Sequence, residues 1–161
     1  MHAGAERSHH EAGFVLGRVM DRPGKCMCGA VTFIAKQTAE GVSACHCGMC
    51  RRWSGGVWMG VGVKEITWES EEALRTIQSS DWAERGFCSE CGTSLFYRLT
   101  AEGKYQGVTS VSLGCLDDPS GLEIQREWFI DKKPDAYALA GDHQTVTEAE
   151  AFAMFSAGAS S

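Results

Sequence analysis

Eight cysteines are the residues best suited to chemistry in this chain, and seven of them fall into three tight groups. The groups are Cys26-Met-Cys28-Gly29, Cys45-His-Cys47-Gly-Met-Cys50 and Cys88-Ser-Glu-Cys91-Gly92. Thiols so close in sequence can turn their sulfurs toward one ion. Zinc accepts thiolates at about 2.3 Å in a tetrahedron, and a glycine after the second cysteine lets the chain turn so that two sulfurs face the same way. A disulfide framework would spread its cysteines along a secreted chain, and no secretory signal is present. The competing chemistry is a redox Cys-x-x-Cys, from Cys47/Cys50 or Cys88/Cys91, and such motifs open a helix after a strand. Gly92-Thr-Ser-Leu-Phe-Tyr97 has instead the composition of a strand. Zinc is therefore the expected partner of these thiols, with redox-active or merely buried thiols as the alternative.

Seven clustered thiols divide naturally into four and three, which predicts two zinc ions per chain. A Cys-x-Cys and a Cys-x-x-Cys together make a closed four-thiolate site. The Cys-x-Cys-x-x-Cys group supplies three thiolates from one short loop. Closed sites are structural, whereas a three-ligand site leaves a position for water or substrate. Spacing alone leaves open which pairs combine. A zinc with three thiolates can take a substrate thiol as its fourth ligand, strip its proton and keep the sulfur nucleophilic near neutral pH. Attack on an aldehyde carbonyl then gives an S-hydroxymethyl adduct.

Other residues carry weaker signals. His46 lies between two ligand-type cysteines, so its side chain should point away from their metal, into packing or a supporting hydrogen bond. Arg51 and Arg52 are candidates to meet a substrate carboxylate, against the commoner role of solvated surface arginines. Trp53 and Trp58 flank the three-cysteine loop and either wall a pocket or pack in the core. Asp117 and Asp118 precede Pro119 and read more readily as a turn than as catalytic carboxylates. Cys115 sits alone in an apolar run and reads as a buried free thiol. No general acid or base emerges from sequence.

These residues need elements to hold them. The chain has 161 residues, 43% of them hydrophobic and 22% charged, enough for one domain with its own core. Its 21 acidic and 15 basic side chains give a formal charge of −6, which speaks against nucleic acid or an anionic membrane as partner. No apolar stretch is long enough to span a membrane. Clustered reduced thiols without a targeting signal point to the cytoplasm. Nineteen glycines and three prolines suit many tight turns between short strands. Strands are expected at Ala30–Ala35, Val57–Val63, Ile66–Trp68, Leu74–Ile77, Ser94–Arg98, Val108–Leu113 and Gln125–Ile130, in a meandering antiparallel sheet or a two-sheet stack. Helical periodicity is confined to Asp135–Leu139, after Pro134, and to Glu148–Phe155.

Taken together, the ordered motifs resemble a known family. They are Gly24-Lys-Cys-Met-Cys-Gly-Ala-Val31, Cys45-His-Cys-Gly-Met-Cys-Arg51 with Ser54-Gly55, Arg85-Gly-Phe-Cys-Ser-Glu-Cys-Gly-Thr-Ser-Leu-Phe96, and Leu116-Asp-Asp-Pro119. This pattern, running from about Gly24 to about Leu139, is similar to that of the glutathione-dependent formaldehyde-activating enzyme (GFA) family, which includes centromere protein V. The resemblance implies a mainly β fold of antiparallel sheets, β-tent-like and zinc-binding. It implies a structural zinc at Cys26, Cys28, Cys88 and Cys91 and a second, open zinc at Cys45, Cys47 and Cys50. It implies a carbon–sulfur lyase-type enzyme acting on a thiol adduct, such as S-hydroxymethylglutathione formed from formaldehyde and glutathione. The alternative is a non-catalytic zinc-stabilised binding module. Two positions depart from the pattern: Cys115, where a small non-thiol residue is usual, and Tyr137, where the family tends to place tryptophan. The expected organisation is an N-terminal segment 1–18 without fixed structure, with adventitious metal binding at His2, His9 and His10, then a GFA-like zinc-binding domain 19–147 and a tail 148–161 that is a short helix or unstructured.

Overall fold

The computed structural model describes residues 19–159; the segment 1–18 with His2, His9 and His10, and the last two residues, lie outside it. Eleven strands, two α-helices and two short 3-10 helices make up the described chain. The strands are β1 (Met20–Lys25), β2 (Thr32–Thr38), β3 (Gly41–Cys45), β4 (Trp58–Val63), β5 (Glu65–Ser70), β6 (Leu74–Ser80), β7 (Ala83–Cys88), β8 (Ser94–Leu99), β9 (Thr109–Ser112), β10 (Glu123–Trp128) and β11 (Gln144–Val146). The α-helices are α1 (Gly48–Ser54) and α2 (Glu148–Ala159). No described helix is long and apolar enough to cross a membrane.

The fold is mainly β. A three-stranded antiparallel sheet, β1-β2-β5, lies beside an eight-stranded sheet ordered β11-β10-β3-β4-β9-β8-β7-β6. The large sheet is antiparallel except at β10, which runs parallel to both β3 and β11. Side chains alternate across a strand, so pairing register decides which residues share a face. In β3, Val42 and Ala44 are buried, and Val42 pairs with Val61 of β4, which in turn pairs with Val111 of β9 and through it with Phe96 of β8. This face meets Phe33, Ala35 and Ile66 of the small sheet to form the core. Within the small sheet Trp68 meets Phe33 edge-on, centroids 5.5 Å apart, and its ring reaches across to Phe96 of the large sheet, tilted at 5.8 Å, which ties the two sheets together. Gly86 pairs with Phe96, and a Cβ there would overlap the phenyl ring, so only glycine lets that ring lie flat on β7.

The opposite face of the large sheet follows from the same register. Cys45 pairs with Trp58 and with Trp128, and Tyr97 pairs with Arg85 on one side and Ser110 on the other. Alternation therefore gathers a cysteine, an arginine and several aromatic rings on the side away from the core.

Several elements differ from the sequence expectations. The helix expected at Asp135–Leu139 is a turn, in which the Lys133 ammonium donates to the carbonyls of Pro134 and Tyr137, at 3.1 and 2.6 Å, so that the backbone closes on a side chain rather than on itself. Strands β1, β3, β7 and β11 and helix α1 had no clear signal. Pro23 sits in β1, an edge strand of its sheet where a missing N–H is tolerated. Ala-Glu-Arg-Gly-Phe-Cys88 of β7 lacks the β-branched residues that mark a strand.

Candidate metal centres and the cavity beside one of them

Two knuckles build the four-cysteine group. After β1, the chain turns so that Gly29 N–H donates to the Cys26 carbonyl at 3.1 Å, and Gly29 takes φ = 79°. After β7, Gly92 N–H donates to the Cys88 carbonyl at 2.8 Å, and Gly92 takes φ = 74°. A side chain at either left-handed position would be strained, which is why glycine follows each cysteine pair. Met27 N–H donates to the Thr93 hydroxyl at 3.0 Å and ties the knuckles to each other. The sulfurs of Cys26, Cys28, Cys88 and Cys91 all lie within 4.8 Å of one another, with Cys26–Cys28 at 3.5 Å and Cys28–Cys88 at 3.9 Å. Zinc–sulfur bonds of about 2.3 Å place the corners of a tetrahedron about 3.8 Å apart. The four sulfurs thus have the spacing zinc requires.

The second group comes from one strap. Cys45 ends β3, Cys47 caps α1, and Cys50 lies in its first turn, its N–H donating to the Cys47 sulfur at 3.4 Å. These three sulfurs also lie within 4.8 Å of one another. Cys50 is buried, whereas Cys45 and Cys47 are partly open. The Cys47-x-x-Cys50 pair does open a helix after a strand, the setting of a redox motif, but Cys45 makes the arrangement a triad rather than a pair. Crowding makes the triad unequal: hydrogen bonds from Cys45 and then Cys50 lower the pKa of Cys47, and its contact raises that of Cys45. Three thiolates so close repel one another unless a cation joins them. Both groups therefore have the donor set and spacing to hold a metal ion. Among the described residues no His, Asp or Glu completes the triad as a fourth ligand.

His46 shows why the strap holds its shape. Alternation directs its ring away from Cys45 and Cys47, and it is fully buried. Its Nε2 lies 2.6 Å from Glu127 Oε2 and its Nδ1 2.9 Å from the Tyr137 hydroxyl. With Nε2–H donating to the carboxylate, Nδ1 accepts from the tyrosine. His143 Nε2 pairs with the other Glu127 oxygen. Burial works against the Glu127 carboxylate, but hydrogen bonds from His143 and His46 outweigh it and hold its pKa below the ordinary value.

The triad opens into a cavity of about 730 Å³ on the outer face of the large sheet. Trp58, buried and donating from Nε1 to the Ser112 hydroxyl at 2.9 Å, is part of its wall. Trp53 is not; its ring lies 5.5 Å from that of Trp58 and beneath the Arg85 guanidinium. Arg85 lies in the wall, 3% exposed, packed over Trp53 and Tyr97, with one terminal nitrogen donating to the Ser79 hydroxyl and the other to the Cys50 sulfur at 3.4 Å. Burial raises the Tyr97 hydroxyl to about 12, so it stays protonated.

Other sequence candidates lie elsewhere. Arg51 donates from Nε to the His46 carbonyl at 2.9 Å, and Arg52 donates to the Gly48 carbonyl at 3.0 Å, so both brace the strap and neither lines the cavity. Asp118 accepts from Ser120 N–H at 2.9 Å in an Asx turn, and Asp117 pairs with Lys25 at 3.8 Å on the surface. Cys115 belongs to neither sulfur group; its thiol is buried, pushed up to about 11 by that burial, and contacts the Ser94 carbonyl at 3.5 Å. Sequence reasoning missed Glu127, His143 and the site role of Arg85. A buried acid or arginine in a short polar strand has no periodic signature, and only the tertiary fold brings Arg85 to the Cys50 sulfur and Glu127 and His143 to the His46 side of the strap.

Comparison with known proteins agrees with the geometry. The family model described as glutathione-dependent formaldehyde-activating enzyme matches residues 21–132. An uncharacterized lyase of Schizosaccharomyces pombe is 32% identical over 118 residues, covering 73% of this chain and 84% of the relative. The match spans both sulfur groups, the strap and Arg85, and the chain belongs to the glutathione-dependent formaldehyde-activating enzyme family.

Proposed function

We propose that this chain is a zinc-dependent carbon–sulfur lyase-type enzyme that makes or breaks the adduct of a small thiol and an aldehyde, with glutathione and formaldehyde as the pair the family description suggests. Cys26, Cys28, Cys88 and Cys91 hold a structural zinc, and Cys45, Cys47 and Cys50 hold the working one. The observation that carries this reading is the open triad: three sulfurs with no fourth protein ligand among the described residues, facing a cavity. Cys45, Cys47 and Cys50 would hold the zinc, and with one coordination position left open it would supply Lewis acidity that makes a bound thiol ionise near neutral pH. The new sulfur–carbon bond forms as the carbonyl π bond breaks, and the oxygen takes a proton. Arg85 offsets thiolate charge at Cys50 and fixes its sulfur, while the protonated Tyr97 offers a hydroxyl to the carbonyl oxygen from the cavity wall. The acidic chain favours a small-molecule partner in a reducing compartment such as the cytoplasm over a nucleic-acid module.

The test is exchange NMR on carbon-labelled formaldehyde with glutathione. Wild-type protein should accelerate interconversion of free and adduct forms, and Cys47→Ser should abolish the acceleration while the protein stays folded. Equal exchange in both proteins, or none above buffer, would move the reading to a non-catalytic zinc-stabilised module.

A further inference from the structure

The cavity beside the triad is far larger and more apolar than formaldehyde needs. Ligand cavities of roughly 300–1,000 Å³ enclose molecules of drug size, and this one measures about 730 Å³. Met49, Trp82, Val108, Phe152, Met154 and Phe155 are large hydrophobic residues left 38–50% exposed, and all six line it. Single exposed apolar residues are ordinary; a group of them converging on one concavity marks a binding surface. The rings are also set against one another. Phe155 stacks on Trp128 at 5.9 Å and meets Tyr105 edge-on at 5.8 Å, so α2 packs against the loop carrying Tyr105 and both line the cavity.

Charged groups in the wall are mostly committed. Arg85 is held by Ser79, Cys50 and two rings. Arg126 lies over the Trp128 ring at 4.9 Å and donates to the Gln144 side chain at 2.8 Å. Glu102 and Lys104 are exposed, in the loop that carries Tyr105. The cavity is therefore an apolar chamber with thiols at one end and charge at its edge.

We infer that the adduct handled here carries an apolar group, aromatic or medium-chain alkyl, on the reacting carbon. Resting on the lyase reading above, the reaction is RCHO + R′SH ⇌ RCH(OH)SR′ with R apolar: the sulfur–carbon bond forms, the carbonyl π bond breaks, and the thiol proton ends on the oxygen. Sulfur sits at the triad, R lies along Trp58, Trp128 and Phe155, and the polar remainder of the thiol reaches the charged edge. Phe152, Met154 and Phe155 belong to α2, beyond the 21–132 family match, whereas Met49, Trp58, Trp82, Val108 and Trp128 lie within it, so α2 completes an apolar wall that the family domain begins.

Two stable thioethers separate the possibilities by isothermal titration of the zinc-loaded full chain. S-hexylglutathione mimics the adduct of an alkyl aldehyde, and S-methylglutathione that of formaldehyde. Each methylene moved out of water favours binding by about fourfold, so even partial burial of the chain should make S-hexylglutathione bind at least tenfold more tightly. Phe155→Ala should cut that ratio severalfold. Equal affinities, binding of neither thioether, or a ratio indifferent to Phe155→Ala overturn the inference. Cobalt-loaded protein monitors the underlying reading separately. If its absorption bands respond to glutathione while the thioethers bind alike, the apolar preference falls and the lyase reading stands. Bands indifferent to glutathione defeat the lyase reading, whatever the thioethers do.

Discussion

Glu127 is 5% exposed, and its carboxylate joins two imidazoles, His46 from the cysteine strap and His143 from the segment before β11. Replacing it with glutamine keeps the shape but offers one acceptor and one donor, so one imidazole N–H faces an amide N–H. Leaving a buried donor unpaired costs about 1–3 kcal/mol, and Glu127→Gln should lose that much in urea unfolding near neutral pH. The penalty should depend on pH with a definite sign. The folded carboxylate has a pKa held below its ordinary value of 4.5, so folding favours the ionised form. Its contribution is present in full above about pH 4.5 and fades as pH falls through the folded value. Wild type and Glu127→Gln should therefore converge in stability in acid, and a constant gap down to pH 3 would show that the charge does not matter. Little of this network could be read beforehand. The sequence places His46 away from the metal by alternation alone, but Glu127 and His143 become its partners only because β10 pairs with β3 in a register that sets Glu127 opposite Ala44.

Elements carry their own constraint at β7. Gly86 lies beneath the Phe96 ring, and a methyl group there would meet ring carbons that are themselves packed against Trp68. Overpacking of this kind costs typically 1–3 kcal/mol. Gly86→Ala should be destabilised by about that amount, and Gly86→Ala with Phe96→Leu should recover part of the loss. Failure of the double variant to recover anything would mean that backbone, not the ring, sets the requirement. The strands that were legible, such as β2 and β9, are β-branched and bounded by turn residues. Those that were not are short or polar, and pairing makes them strands: β3 and β7 have neighbours on both sides, β1 and β11 on one. Helix α1 is legible only in retrospect. Seven residues with no acid in the first turn and Cys47 as cap do not announce a helix; the strap ends as one because its sulfurs must converge.

At the scale of the whole molecule the two sulfur groups differ in how much of the chain they span. Cys26 and Cys28 follow the strand that edges the small sheet, and Cys88 and Cys91 sit at the turn between β7 and β8 of the large one. A metal at these four closes a loop across 60 residues and clamps sheet to sheet beside the shared core. The triad spans only Cys45 to Cys50 and clamps nothing distant. The spacing in the sequence distinguished a local group from a split one, but not the sheets that the split group joins. Structural zinc is worth about 10–16 kcal/mol in peptides that fold only around it. This chain has a core of its own, so the share lost without metal should be a few kcal/mol, or about 10 °C in melting temperature at roughly 2–4 °C per kcal/mol for a chain of this size. Cys88→Ser should lose that much or fail to accumulate as folded protein. Cys47→Ser should melt within a few degrees of wild type, and native mass spectrometry should count two zinc ions in wild type and one in Cys47→Ser. A chelator in limited amount should empty the triad first, because it is the more open of the two groups and lacks a fourth protein ligand, and activity should then vanish before the melting temperature moves. Simultaneous loss of both, or equal melting of the two variants, would mean that the groups share one task and that the division between a clamp and a working site is wrong.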